Sequence, residues 1–157
     1  MTTETVAARR AYANEIEVGS SYEFSTYAIT ENDVVRFAEA WDPQWFHIDG
    51  VAAGHGPYGG LIASGMHTLA IYQRLSVINV FERWHVIAGR CLRDVRFLRP
   101  LRPGATVTGR LHIDAIDNDK PGRALVVTRG ELVGDDGKQL LTMATELYVR
   151  ARSQSHK

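Results

Sequence analysis

The chain has 157 residues, with 18 Lys+Arg balanced by 18 Asp+Glu, 45% hydrophobic residues and one cysteine. Surface scaling for a chain of this mass gives roughly 7,900 Å² folded against about 25,000 Å² unfolded, which is the burial of one compact domain. Zero net charge excludes the basic excess that a nucleic-acid groove or an anionic membrane surface requires, and a lone Cys91 excludes an intrachain disulfide and a thiolate metal cluster.

No apolar run approaches the ~20 residues that cross a bilayer, and residues 1–10 are polar, without the apolar stretch of a secretory leader. With the single cysteine, these features predict a soluble, cytoplasmic protein that binds neither nucleic acid nor membrane. Residues 1–15 read as a polar N-terminal arm, frayed or disordered, 16–151 as one domain and 152–157 as a polar tail.

Residues 22–29 (YEFSTYAI) are aromatic and β-branched and predict a strand. Thr30 with Asp33 three residues later forms a capping-box pattern, so a helix follows. Val34, Phe37, Ala38 and Trp41 recur at helical spacing and predict one buried stripe, and Pro43 stops the helix near Asp42.

Residues 42–60 hold five of the fourteen glycines and two of the five prolines, a loop composition. Their Trp45, Phe46 and Ile48 predict that the loop is ordered, and long ordered loops in small domains are usually functional. Residues 61–75 carry apolar side chains on nearly every face and predict a buried central helix.

Strands are expected at 84–97, 106–113, 124–133 and 140–149. Val107, Leu111 and Ile113 share one face, and Thr108, Arg110 and His112 the other. Turn sequences at 118–122 and 134–137 predict an antiparallel meander of hairpins. The order implies an α+β domain in which a curved sheet wraps one long apolar helix.

Asp42 and His47, five residues apart just beyond a forced helix stop, form a workable acid–base pair near neutral pH. The alternative is that Asp42 caps the loop and His47 is a satisfied loop histidine. Gly65 near the start of the apolar helix offers a first-turn N–H without an intrahelical partner, suited to a developing oxyanion. Equally, glycine there allows a neighbouring element to approach closely. His67 reads as core, and His55, His85 and His112 have no ligand-like partners, so no metal site is expected. Ser64 lacks a nucleophile elbow, and Cys91 lies in a strand-like run.

Three stretches in order resemble the MaoC-like dehydratase family, which includes the (R)-specific enoyl-CoA hydratases. They are Phe37-Ala38 leading to Asp42, His47 and Asp49; residues 59–66 (GGLIASGM); and residues 96–104 (RFLRPLRPG). The resemblance spans about 16–150 and implies a hotdog fold. It also implies Asp42 and His47 as catalytic side chains, the Gly65 N–H as an oxyanion donor, and reversible hydration of trans-2-enoyl-CoA to (R)-3-hydroxyacyl-CoA without a cofactor. This sequence departs from the family's D-x-N-P-x-H segment: Pro43 adjoins the aspartate, Gln44 replaces Asn, and Trp45 enters.

The resemblance further implies an acyl-CoA substrate and a homodimer or higher homo-oligomer, because family members pair sheets edge to edge. Ser64 is expected to orient the Gly65 turn and contribute to substrate binding. Trp45, Phe46, Val51 and Tyr58 either line an acyl tunnel or pack the loop down. The rival expectations are a hotdog acyl-CoA thioesterase and a non-catalytic partner subunit.

Overall fold

The computed structural model describes residues 8–153. Two short strands, β1 (Ser21–Glu23) and β2 (Tyr27–Ala28), precede helix α1 (Glu31–Trp41). Short helices α2 (Trp45–Ile48) and α3 (Gly50–Gly54) follow, then the long helix α4 (Gly65–Asn79). Four long strands complete the chain: β3 (Val86–Phe97), β4 (Thr106–Lys120), β5 (Arg123–Gly134) and β6 (Gln139–Arg150).

The strands form one antiparallel sheet in the order β1-β4-β5-β6-β3, with β2 also on β4. The predicted meander holds for β4-β5-β6, where turn residues join adjacent strands. It fails for β3, which pairs with β6 and reaches β4 only through a crossover at 98–105. Turn chemistry specifies neighbours only across short connections, and this connection is long enough to cross the sheet end. The crossover is anchored: Leu101 is buried, its carbonyl accepts the Ala63 N–H at 2.8 Å, and the Gly104 N–H donates to the Ile29 carbonyl at 2.8 Å.

The alternation read in β4 is present: Val107, Leu111 and Ile113 face the core while Arg110 is exposed. The expected single strand at 22–29 is instead broken in two. At the break the Ser25 N–H leaves the sheet for the Asn79 side-chain oxygen (3.1 Å), and the Thr108 hydroxyl takes the Phe24 carbonyl (2.8 Å).

Helix α4 lies on the inner face of the sheet, with His67, Thr68, Ile71, Tyr72, Leu75 and Ser76 buried. Tyr72 packs so closely on β5 that any side chain at Gly130 would overlap its hydroxyl. The helix begins four residues later than expected, because residues 61–64 run extended and Ser64 is its N-cap. It is also buried on one side only: Met66 is 54% and Ile78 39% exposed. A helix that is apolar all round thus has just one covered face in a single chain.

Thr30 and Asp33 close the capping box reciprocally, at 3.1 and 3.0 Å. Val34 and Ala38 are buried as expected, but Trp41 at the end of α1 is 75% exposed, because the sheet and α4 cover only the earlier turns. The frayed-arm expectation is corrected for residues 11–15. Ala11 bridges to Trp84, residues 13–15 form a 3-10 turn, and Ala13 is buried. Residues 1–7 and 154–157 lie outside the described residues.

Candidate active site

Asp42 is the C-cap of α1, in a non-helical conformation (φ −156°, ψ 70°) consistent with the following Pro43, and its N–H still donates to the Ala38 carbonyl at 2.8 Å. The chain turns at once: the Gln44 N–H donates to the Asp42 carbonyl (2.8 Å) and the His47 N–H to the Gln44 carbonyl (3.0 Å). His47 therefore sits in the short helix α2, whereas a non-helical loop was expected. The consequence for the pair is as predicted, since His47 Nε2 lies 3.4 Å from Asp42 Oδ2.

His47 is buried, and its Nδ1 is 2.7 Å from the Ile62 carbonyl oxygen. A carbonyl only accepts, so Nδ1 carries the proton, and in the neutral ring Nε2 presents a lone pair toward Asp42. The extended run 61–64 thus sets the histidine tautomer. That run is in turn held by the Leu101 carbonyl of the crossover.

Ser64 is fully buried, and its hydroxyl serves two groups. It donates to Asp42 Oδ2 at 2.7 Å and accepts the Met66 N–H at 3.2 Å. Gln44 Nε2 donates to the other carboxylate oxygen at 3.1 Å. The Ser64 hydrogen bond, with Gln44 as a second donor and against the opposing effect of burial, holds the Asp42 carboxyl below the usual carboxylate range, so it is ionised at neutral pH. The expected substrate contact by Ser64 is corrected: its hydroxyl is spent inside the protein, and the residue positions Asp42 and caps α4.

Gly65 is the first residue of α4, and its N–H has no acceptor among the described residues. Both readings of this glycine apply. The N–H is a free first-turn donor, and the missing side chain also seats a neighbour, because a Cβ there would lie 3.1–3.2 Å from the Phe97 ring.

A cavity of about 440 Å³ joins these groups. Asp42, His47 and Gly65 border it, Phe46 and Tyr58 form one wall, and Phe97 to Leu101 form another. Phe46 lies edge-on to the His47 ring, with centroids 4.4 Å apart. Trp45 does not join the cavity. Its ring packs edge-on to Phe46 and over the turn, 2.7 Å from where a Gly56 Cβ would stand. Val51 is 79% exposed and also lies off the cavity. The loop aromatics thus divide: Phe46 and Tyr58 line, and Trp45 packs.

Sequence reasoning missed Gln44 as a carboxylate donor, the Ile62 carbonyl as the tautomer anchor, and Phe97 and Arg99 in the wall. The Ser64 cap was also missed, because Ser64 lies inside the apolar run 61–75; its hydroxyl, one position before Gly65, is the signal that could have found it. A second hollow of about 510 Å³ beside β3 holds no histidine. His67 is buried, stacked on Phe37 at 4.3 Å, and burial lowers its pKa, so it is a neutral core residue. Among the described residues no group of three or more His, Cys, Asp or Glu is placed to hold a metal ion.

The family model for the MaoC-like domain matches residues 13–134. The chain is 34% identical over 137 residues to 3-hydroxyacyl-thioester dehydratase Z of Mycobacterium tuberculosis, covering 85% of this chain and 88% of that protein. It is 33% identical over 90 residues to YdeM of Bacillus subtilis, covering 57% of this chain and 64% of that protein. The crystal structure of the MaoC-like dehydratase from Rhodospirillum rubrum superposes with a TM-score of 0.83 at 28% identity, over 92% of this chain and 99% of that one. An Asp–His pair beside a free helix N-terminus, on a curved sheet around one long helix, is therefore carried here by a member of the MaoC-like dehydratase family with the hotdog fold.

Proposed function

We propose that the protein catalyses the reversible hydration of trans-2-enoyl-CoA to (R)-3-hydroxyacyl-CoA. The observation that carries this reading is the pair of acceptors, His47 Nε2 and Asp42 Oδ2, 3.4 Å apart at the cavity. A neutral imidazole lone pair and a carboxylate side by side suit one molecule with two donors, a water.

The steps balance on that water. Its oxygen bonds to the β-carbon of the enoyl thioester while one hydrogen passes to His47 Nε2. The other hydrogen stays on the new hydroxyl, hydrogen-bonded to Asp42. The electron pair moves through the α-carbon to the thioester oxygen, where the Gly65 N–H receives the developing charge. Collapse of the enolate takes the proton from His47 to the α-carbon and restores the neutral ring. One oxyanion donor contributes about 2.7–4 kcal/mol in comparable sites. Carboxylate, imidazole and backbone donor suffice for this chemistry, so the reaction requires no cofactor. The (R) configuration rests on the family resemblance.

The assembly we propose is a homodimer or a higher homo-oligomer. The edge strand β3 leaves one side unpaired and exposes Ile87 (49%), Leu92 (50%) and Phe97 (51%). Long exposed apolar edges are normally covered, and a second copy would also cover the open face of α4. No helix is long and apolar enough to cross a membrane among the described residues, and a cytoplasmic location fits the unpaired Cys91.

Incubation with crotonyl-CoA tests the reading. Loss of the enoyl absorbance without free thiol is the expected result, whereas thiol release would establish a thioesterase instead. No reaction with active homologue as control would leave the non-catalytic partner reading.

A further inference from the structure

The reaction above uses no permanent cation, yet one stands in the cavity wall. Arg99 follows Phe97 and Leu98 in that wall, among mainly apolar neighbours. Its one carboxylate neighbour among the described residues is Asp136 at 3.9 Å, and both side chains are about half exposed. An exposed pair at that distance is weak and readily exchanged for a better anion.

Other arginines on the sheet are committed more closely. Arg93 holds Glu146 at 3.0 Å, Arg110 holds Glu131 at 3.0 Å, and Arg129 holds Asp114 at 2.6 Å. Arg102, three residues beyond Arg99, has no ion-pair partner among the described residues, and its Nη1 lies 3.9 Å from where a Gly60 Cβ would stand. Gly60 is two residues from Tyr58 on the facing wall. Arg99 itself lines the cavity, and Arg102 stands beside it on the same crossover, near the turn at Gly60.

Arg99 is two residues beyond Phe97, whose ring touches Gly65, a backbone step of roughly 7 Å. Its guanidinium then extends toward the β5–β6 turn that carries Asp136. The cation is therefore displaced from the Gly65 N–H toward the solvent-exposed turn that carries Asp136. A guanidinium matches a phosphate bidentately.

We infer that Arg99, seconded by Arg102, is a phosphate-recognition point that binds the phosphate of a phosphopantetheine arm whose thioester end reaches Asp42 and His47. The inference rests on the proposed hydratase reading and extends it to the carrier. The same phosphate occurs in coenzyme A and on acyl carrier protein, so the site recognises what both carriers share.

The experiment compares crotonyl-pantetheine, which lacks the phosphate, with crotonyl-phosphopantetheine, crotonyl-CoA and crotonyl-acyl carrier protein. The wild type is expected to favour the phosphorylated arm over pantetheine in kcat/KM by roughly ten- to a hundredfold, carried mainly by KM and shrinking with added salt. Arg99→Gln collapses that ratio toward one, Arg102→Gln reduces it less, and Arg99→Lys retains part of it. The wild type's preference between the two complete carriers identifies the source.

An unchanged ratio in Arg99→Gln would overturn the inference, and so would a penalty confined to crotonyl-CoA, since the nucleotide rather than the shared phosphate would then be bound. Turnover of all the thioesters by the wild type with no discrimination by Arg99 sinks this inference alone. Turnover of none sinks the hydratase reading.

Discussion

The two walls of the cavity are built on different terms. On the Asp42 side both candidate acid–base groups are held by others within the same chain: Ser64 and Gln44 on Asp42, the Ile62 carbonyl on His47, and the Leu101 carbonyl behind residues 61–64. His47 is 4% exposed and Ser64 not at all. On the other side, Phe97 and Leu98 are about half exposed at the end of an unpaired edge strand. In the proposed reaction the acid–base groups are pre-organised within one chain, and the surface proposed to meet the substrate stays open along the β3 edge.

The comparison is broken most directly at the closed wall. Asp42→Asn and His47→Ala should each lower turnover of crotonyl-CoA by about 10²–10⁴-fold, the usual loss for general acid–base groups, with the fold intact by circular dichroism. A loss under about tenfold in both would remove the pair from the mechanism.

Ser64→Ala should cost less, roughly ten- to a hundredfold, through loss of a hydrogen bond to a charged group. It also has a pH signature. Ser64 holds the Asp42 pKa below the ordinary 3.8, so Asp42 adds stability above its unfolded pKa and loses that contribution as pH falls through its folded pKa. Without Ser64 the folded pKa rises. The acid limb of kcat/KM and the acid-unfolding midpoint should both move to higher pH. A profile superimposable on wild type would mean that Ser64 acts only as the α4 cap.

At the open wall, Leu92→Glu should leave the fold intact but shift the sedimentation mass toward monomer, with a several-fold loss of activity. Unchanged mass would place the subunit contact elsewhere. The smallest effect is expected at Trp45, which packs the loop outside the cavity. Trp45→Ala should lower stability by about 1 kcal/mol, seen as a small drop in Tm, with KM within about twofold of wild type. A large KM change would return Trp45 to the substrate wall.

Local signals in the sequence were read correctly where the interaction is local. Thr30 with Asp33, Pro43 after Asp42, and the alternation of β4 each depend on neighbours a few residues away. The candidate pair was legible for the same reason, since a helix stop followed by a short turn brings residues five apart together. Ser64's place at the Gly65 turn is legible, but its bond to Asp42 is not, because that bond spans 22 positions. Trp41 and the late start of α4 were misjudged because periodicity reports which face is apolar, not whether another element covers it.

By itself the sequence determined an α+β chain with one long apolar helix, a forced stop at Asp42, and an acid and an imidazole within reach of each other. Composition, capping and proline sterics act through the chain's own covalent neighbours, so they survive without tertiary context. The tertiary structure alone decided that β3 pairs with β6, that Leu101 holds the segment before Ser64, and that the Ile62 carbonyl sets the His47 tautomer. Those are hydrogen bonds between segments far apart in sequence, and their partners are chosen by which backbone groups the packed core leaves unsatisfied.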